Sequence, residues 1–283
     1  MTPLAQRLCP AELLVLDGAD AIAFAHAQFT SQVSALAIGS WQWSAWLDAQ
    51  GRARHFFALL RMDATRLLAW LPLGNSADMH AALTRFVFRS KVTLDALPRW
   101  ALHALQPSDL SESMSAQDFV AHEHGYALLQ PGPTKRIAWL APSDEHFVVV
   151  DALADWRLQD IAARLPLLTA ESSGEFVPQA LDLERFDAIR FDKGCYPGQE
   201  VAARLHFRGG NKRHLHRVTI AGAPPKSGTP IVANDDGRAI GQVLYSSALS
   251  AHACEAIVVI ANANGDGANF TTSTGSSVLV INE

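Results

Sequence analysis

The chain has 283 residues, 49% of them apolar and 18% charged, with a formal net charge of −5. That composition excludes intrinsic disorder, and a chain of this length needs no metal or disulfide to hold a core. The acidic balance leaves no global field for a polyanion, so a nucleic-acid site would have to be a local patch.

In chain order, Leu13 to Leu16 reads as a strand closed by Asp17-Gly18, and Asp20 is placed to N-cap a helix running through Phe24 to Phe29. Trp41 to Leu47 and Arg54 to Arg61 form a hairpin around Asp48-Ala49-Gln50-Gly51, followed by a strand from Arg66 to Leu71. Met79 to Phe88 carries Leu83, Phe86 and Val87 at helical spacing, and Lys91 to Leu94 extends again. Hairpins mixed with helices indicate an α+β class rather than a parallel doubly wound sheet. After a loop-rich join between Pro98 and Phe119, a second α+β unit begins. Its strands are Tyr126 to Leu129, Arg136 to Leu140 and Phe147 to Val150, and its helix is Asp151 to Leu165, with Trp156, Ile161, Ala162 and Leu165 as an apolar stripe. From Arg217 the chain is strand-only, with a turn at Asn234 to Gly237 and a long turn from Ala261 to Ser277, as in a small barrel. The expected domains are 1–97, 98–205 and 206–283.

Cys9, Cys195 and Cys254 are far apart and form no CxxC pair, which argues against structural zinc and a secreted disulfide scaffold. No leader-like or membrane-length apolar run is present, so a cytoplasmic protein with no membrane partner is expected. There is no GxGxxG after a strand, no GxxxxGK[ST], no HExxH and no GxSxG. His122-Glu123-His124 reads as an exposed loop, because neighbours one and two apart do not converge on one ion. No metal site is expected.

One segment stands out: Asp192-Lys193-Gly194-Cys195-Tyr196-Pro197-Gly198-Gln199-Glu200. Glycines on both sides of the cysteine put the thiol at a bend. Lys193 is placed to favour the reactive thiolate, and the other reading is a small buried apolar cysteine. Arg204 to Arg217 then holds five Lys/Arg, three His and no acid, a patch suited to a polyglutamate, a phosphate or an RNA backbone, or else a plain solvated connection.

KGCYPGQE followed by VAARLHFRG resembles the signature of the YgfZ family, folate-binding proteins related in fold to the glycine-cleavage T-protein, an aminomethyltransferase. Gly18-Ala19-Asp20 and Gln28 to Val33 resemble the family's amino-terminal pattern, with Gln32 standing where the family usually has Asp. Asp48 to Arg52 resembles its glycine-containing hairpin, and Phe86 to Val92 its helix-to-strand join. The resemblance covers most of the chain. It implies two α+β domains around a central channel and a carboxyl-terminal antiparallel β-barrel.

It further implies binding of tetrahydrofolate or a one-carbon derivative, and support of iron–sulfur proteins such as a radical-SAM tRNA methylthiolase. Trp156 sits where a family tryptophan contacts folate. The candidate cofactor-binding residues are Trp156, Tyr196, Gln199, Glu200 and Arg204. Cys195, for redox exchange or transient ligation, and Lys193 are the candidate chemical residues. The T-protein's aspartate has no counterpart, because no acid occurs from Arg52 to Met62 and Arg54-His55 stand there instead. An accessory folate-binding factor without classical enzyme activity therefore ranks first and a folate-dependent transferase second. An RNA-binding module ranks third, since aromatics are not interleaved with the basic residues.

Overall fold

The computed structural model describes residues 6–105, 114–143, 151–234, 237–261 and 270–281. Its strands are β1 (Gln6–Pro10), β2 (Glu12–Asp17), β3 (Trp41–Leu47), β4 (Ala53–Arg61), β5 (Arg66–Leu71), β6 (Thr93–Leu97), β7 (Trp100–Leu105), β8 (Phe119–His122), β9 (Gly125–Gln130) and β10 (Arg136–Pro142). The strands β11 (Arg213–Ala221), β12 (Pro230–Ala233), β13 (Ala239–Ala248), β14 (Ala253–Ala261), β15 (Phe270–Thr272) and β16 (Ser277–Val280) complete the set. The helices are α1 (Ala21–Gln28), α2 (Ser76–Thr84), α3 (Asp151–Ala162) and α4 (Gln199–Arg208).

The first sheet has the order β3-β4-β5-β2-β6, antiparallel throughout. Period-two alternation divides its side chains between two cores. Trp46, Phe57, Leu59 and Leu14 face α1 and α2, whose Phe24, Met79 and Leu83 are buried against them. Trp41, Trp43, Phe56 and Leu13 point the other way, into a core shared with the second sheet, α3, residues 165–202 and the inner end of the barrel. The second sheet runs β1-β7-β10-β9-β8, and the carboxyl-terminal strands close as a six-stranded antiparallel barrel. Two α+β units and a barrel are thus what the structure contains.

Several expectations are corrected. β1 lies within the stretch 1–97 yet pairs with β7 of the second sheet. The expected division after residue 205 falls inside α4, which is one hydrogen-bonded element. Asp20 precedes α1 but does not cap it; its Oδ2 accepts the Lys91 amide at 2.7 Å. The helix expected from Met79 to Phe88 runs from Ser76 to Thr84, because Asn75 caps it by accepting the Asp78 amide at 2.9 Å. α3 stops at Ala162, just before Arg164 turns left-handed at φ +52°. The expected turn 261–277 holds β15, which pairs with β12 and β16. The strand expected over 147–150 lies outside the described residues, as do the middle of the 234–237 turn and residues 262–269 of the long turn.

Candidate functional site

The Cys195 segment is fixed to the first unit from three directions. Thr30 Oγ1 donates to the Ala188 carbonyl at 2.5 Å and accepts the Ala45 amide at 3.0 Å, and the Arg190 amide donates to the Thr30 carbonyl at 2.9 Å. Lys193 Nζ donates to the carbonyls of His26, Phe29 and Ser31 at 2.8, 2.6 and 2.7 Å. All three ammonium protons are therefore held by the end of α1 and the turn after it rather than offered to the Cys195 sulfur. Burial lowers Lys193 to about 8, and the three carbonyl acceptors oppose that shift. Finally, Gly198 and Gly51 meet backbone to backbone: a Cβ on Gly198 would lie 2.4 Å from the Asp48 carbonyl oxygen and 2.7 Å from Gly51 Cα.

Cys195 itself is exposed, which removes the reading of a buried apolar cysteine. The expected cofactor residues beside it are differently placed. Tyr196 is buried at 5% exposure, its Oη donates to the Arg190 carbonyl at 3.0 Å, and burial raises its phenol. Gln199 Oε1 accepts the Tyr196 amide at 3.3 Å, while Glu200 and Arg204 are exposed on α4. Trp156 is a core residue at 6% exposure, with the Arg136 guanidinium 4.5 Å over its ring. Arg136 is in turn held by Asp160 at 2.6 Å, so this face of the indole is closed by a buried ion pair. These residues do not converge on one open cavity.

The open space lies elsewhere. A cavity of about 280 Å³ sits between β3 of the first sheet and the end of β9 in the second, lined by Trp41, Gln42, Trp43, Gln117, Gln130, Phe186 and Asp187 among others. Trp43 stacks on Phe56 with 4.7 Å between centroids and 13° between planes, and Trp41 meets Trp43 edge-on at 5.4 Å. Trp41 Nε1 is buried with no hydrogen-bond partner. Leu183–Phe186 form a 3-10 turn entered through Asp182 and left through Asp187, both left-handed at φ +51° and +50°. Such backbone is uncommon outside glycine, though Asp tolerates it better than most, and here it delivers Phe186 and Asp187 to the cavity wall.

A second cavity of about 250 Å³ is lined by Asp48, Arg54, His55, Asn75, Asp78, Ser173 and Gly174 among others. Arg54 Nε donates to Ser173 Oγ at 3.2 Å. His55 is 5% exposed, lies parallel to Trp46 at 6.0 Å, and has a buried Nε2 with no partner. Burial lowers it to about 4, so at neutral pH it is an uncharged imidazole. Sequence reasoning missed Trp41, Trp43 and Asp187. The available signal was a Trp-x-Trp pair on one face of a strand.

No family model matches the chain. The tRNA-modifying protein YgfZ of Colwellia psychrerythraea is 25% identical over 288 residues, covering 95% of this chain and 88% of that protein. The protein of the same name from Klebsiella pneumoniae is 30% identical over 254 residues, covering 82% of this chain and 77% of that protein. Among solved structures, the glycine cleavage system aminomethyltransferase T of Bartonella henselae matches with a TM-score of 0.72 at 16% identity, over 99% of this chain and 86% of that one. That likeness shows a shared T-protein-type fold. The 30% identity to the Klebsiella protein, over 82% of this chain, shows the family: the chain belongs to that of the tRNA-modifying protein YgfZ.

Proposed function

We propose that the protein binds a reduced folate, tetrahydrofolate or a one-carbon derivative, between its two α+β units and acts as an accessory factor in tRNA modification. The observation that carries this reading is the cavity between β3 and β9. A pterin is a flat ring with a polar edge, and it needs an aromatic wall together with a few hydrogen-bonding groups. Trp41, Trp43 and Phe186 supply the wall. The exposed Asp187 carboxylate on the cavity wall suits the amino–imino edge. Cys195, exposed on the segment clamped by Lys193, is the group offered to an iron–sulfur client for redox exchange or transient ligation.

Titration of the chain with tetrahydrofolate under anaerobic conditions tests the folate half, and complementation in cells the thiol half. Saturable binding is expected, weakened about tenfold in D187N, roughly the loss of one hydrogen bond to a charged group. C195A should bind folate as the parent does, yet fail to support a methylthiolated-tRNA readout in cells lacking the native gene. Absence of saturable binding removes the folate reading, and full support by C195A removes the role of the thiol.

A further inference from the structure

The basic stretch after the Cys195 segment is not a connection but the helix α4 and the start of β11. No Asp or Glu occurs between Glu200 and Asp235, while Arg204, Arg208, Lys212 and Arg213 follow one another along the exposed surface. None of these four is in a salt bridge among the described residues. Among them stands Phe207, 73% exposed, with Arg204 three residues before it and Arg208 directly after. An apolar ring this open, set among guanidinium groups on a polar helix face, is not explained by the core.

The fold also supplies the aromatic neighbours that the linear spacing lacks. Phe191 stacks on His206 at 4.4 Å and 26°, and the Phe207 ring lies 6.1 Å from Phe191. These rings border a groove of about 360 Å³ together with Glu184, Asp187, Arg190 and Asp192. Two of the acids there are engaged, and Asp187 is left open. Glu184 Oε1 meets His206 Nδ1 at 2.9 Å, Asp192 pairs with Arg190 at 2.9 Å, and Asp187 lies 4.0 Å from Arg190. Asp187 also lines the cavity between β3 and β9.

We infer that the α4 face is a single-stranded RNA-binding surface, with bases stacking on Phe207 and the Phe191–His206 pair and the phosphate backbone following Arg204, Arg208, Lys212 and Arg213. Flat rings take bases of any sequence and a row of cations tracks the backbone, which is the chemistry single strands require. The inference deepens the tRNA-linked reading above by naming a direct RNA contact. It is tested without folate, so that an RNA failure and a folate failure are told apart.

The experiment is fluorescence anisotropy of a labelled single-stranded RNA of about 12 nucleotides, a length within the range of known single-strand sites, titrated with the full chain. Four phosphate contacts predict a roughly 50-fold loss of affinity between about 50 and 200 mM salt. R204A/R208A should lower the magnitude of the logarithmic salt slope by about 1.4. F207A should weaken binding at least ~5-fold with the salt slope unchanged. F207L, which keeps apolar bulk but loses the flat ring, should weaken it similarly. Anisotropy that does not change at about 50 mM salt would overturn the inference, as it would if this face docks a protein instead. Unchanged binding by both Phe207 variants would overturn it too, leaving only a generic anion sink.

Discussion

A Cβ on Gly198 would sit 2.4 Å from the Asp48 carbonyl, and its φ of +73° is one that side-chain-bearing residues rarely adopt. Both facts act in the same direction. G198A is expected to cost about 2 kcal/mol or more in urea unfolding, whereas G194A, with nothing within 4 Å of its Cβ, should cost under about 1 kcal/mol. Equal effects would show that the contact with the Asp48–Gly51 turn does not hold the Cys195 segment. His55 makes a pH-dependent prediction. Burial lowers it to about 4 from the ordinary 6.5, so the unfolded chain takes up this proton first as pH falls. Its contribution is complete above 6.5 and is lost between 6.5 and 4, up to about 3 kcal/mol. H55Q, which cannot titrate, should flatten the stability profile over that window; an unchanged profile would place the titration elsewhere.

At the scale of elements, the turn after α1 and the Cys195 segment are joined through one ammonium group and one threonine hydroxyl. K193M should remove a charged donor from three partly buried carbonyls, of which Ser31 keeps the Val33 amide, and cost about 1–3 kcal/mol. Amide exchange over residues 26–34 and 190–196 should accelerate together. Faster exchange in only one of these stretches would mean that Lys193 does not couple them. The strands of the first sheet were legible because alternation and turn residues agree: the hairpin around Asp48 to Gly51 is where the sequence places it. α4 was not read as a helix, since its apolar stripe is short, Val201, Ala202 and Leu205, and Gly198 before it offers no capping side chain. The start of α2 was missed for a local reason, because the Asn75 cap and the Ser76 bond to Glu12 draw the helix one turn earlier.

For the whole molecule, the resemblance carried by the Cys195 segment led to the correct family and to the α+β-plus-barrel architecture. The open cavity did not follow from that segment. Trp41 and Trp43 read in sequence as ordinary apolar strand residues, and only the packing of two sheets turns one face of β3 into a cavity wall. Conversely Trp156, which the resemblance singles out, is closed over by Arg136 and Asp160. The seven tryptophans make this contrast measurable in a single preparation. With 5-fluorotryptophan incorporated and each 19F resonance assigned by Trp→Phe substitution, saturating tetrahydrofolate should shift the Trp41 and Trp43 signals and leave Trp156 in place. A shift at Trp156 with Trp41 and Trp43 unmoved, or no shift at any of the seven, would contradict the placement of folate between β3 and β9.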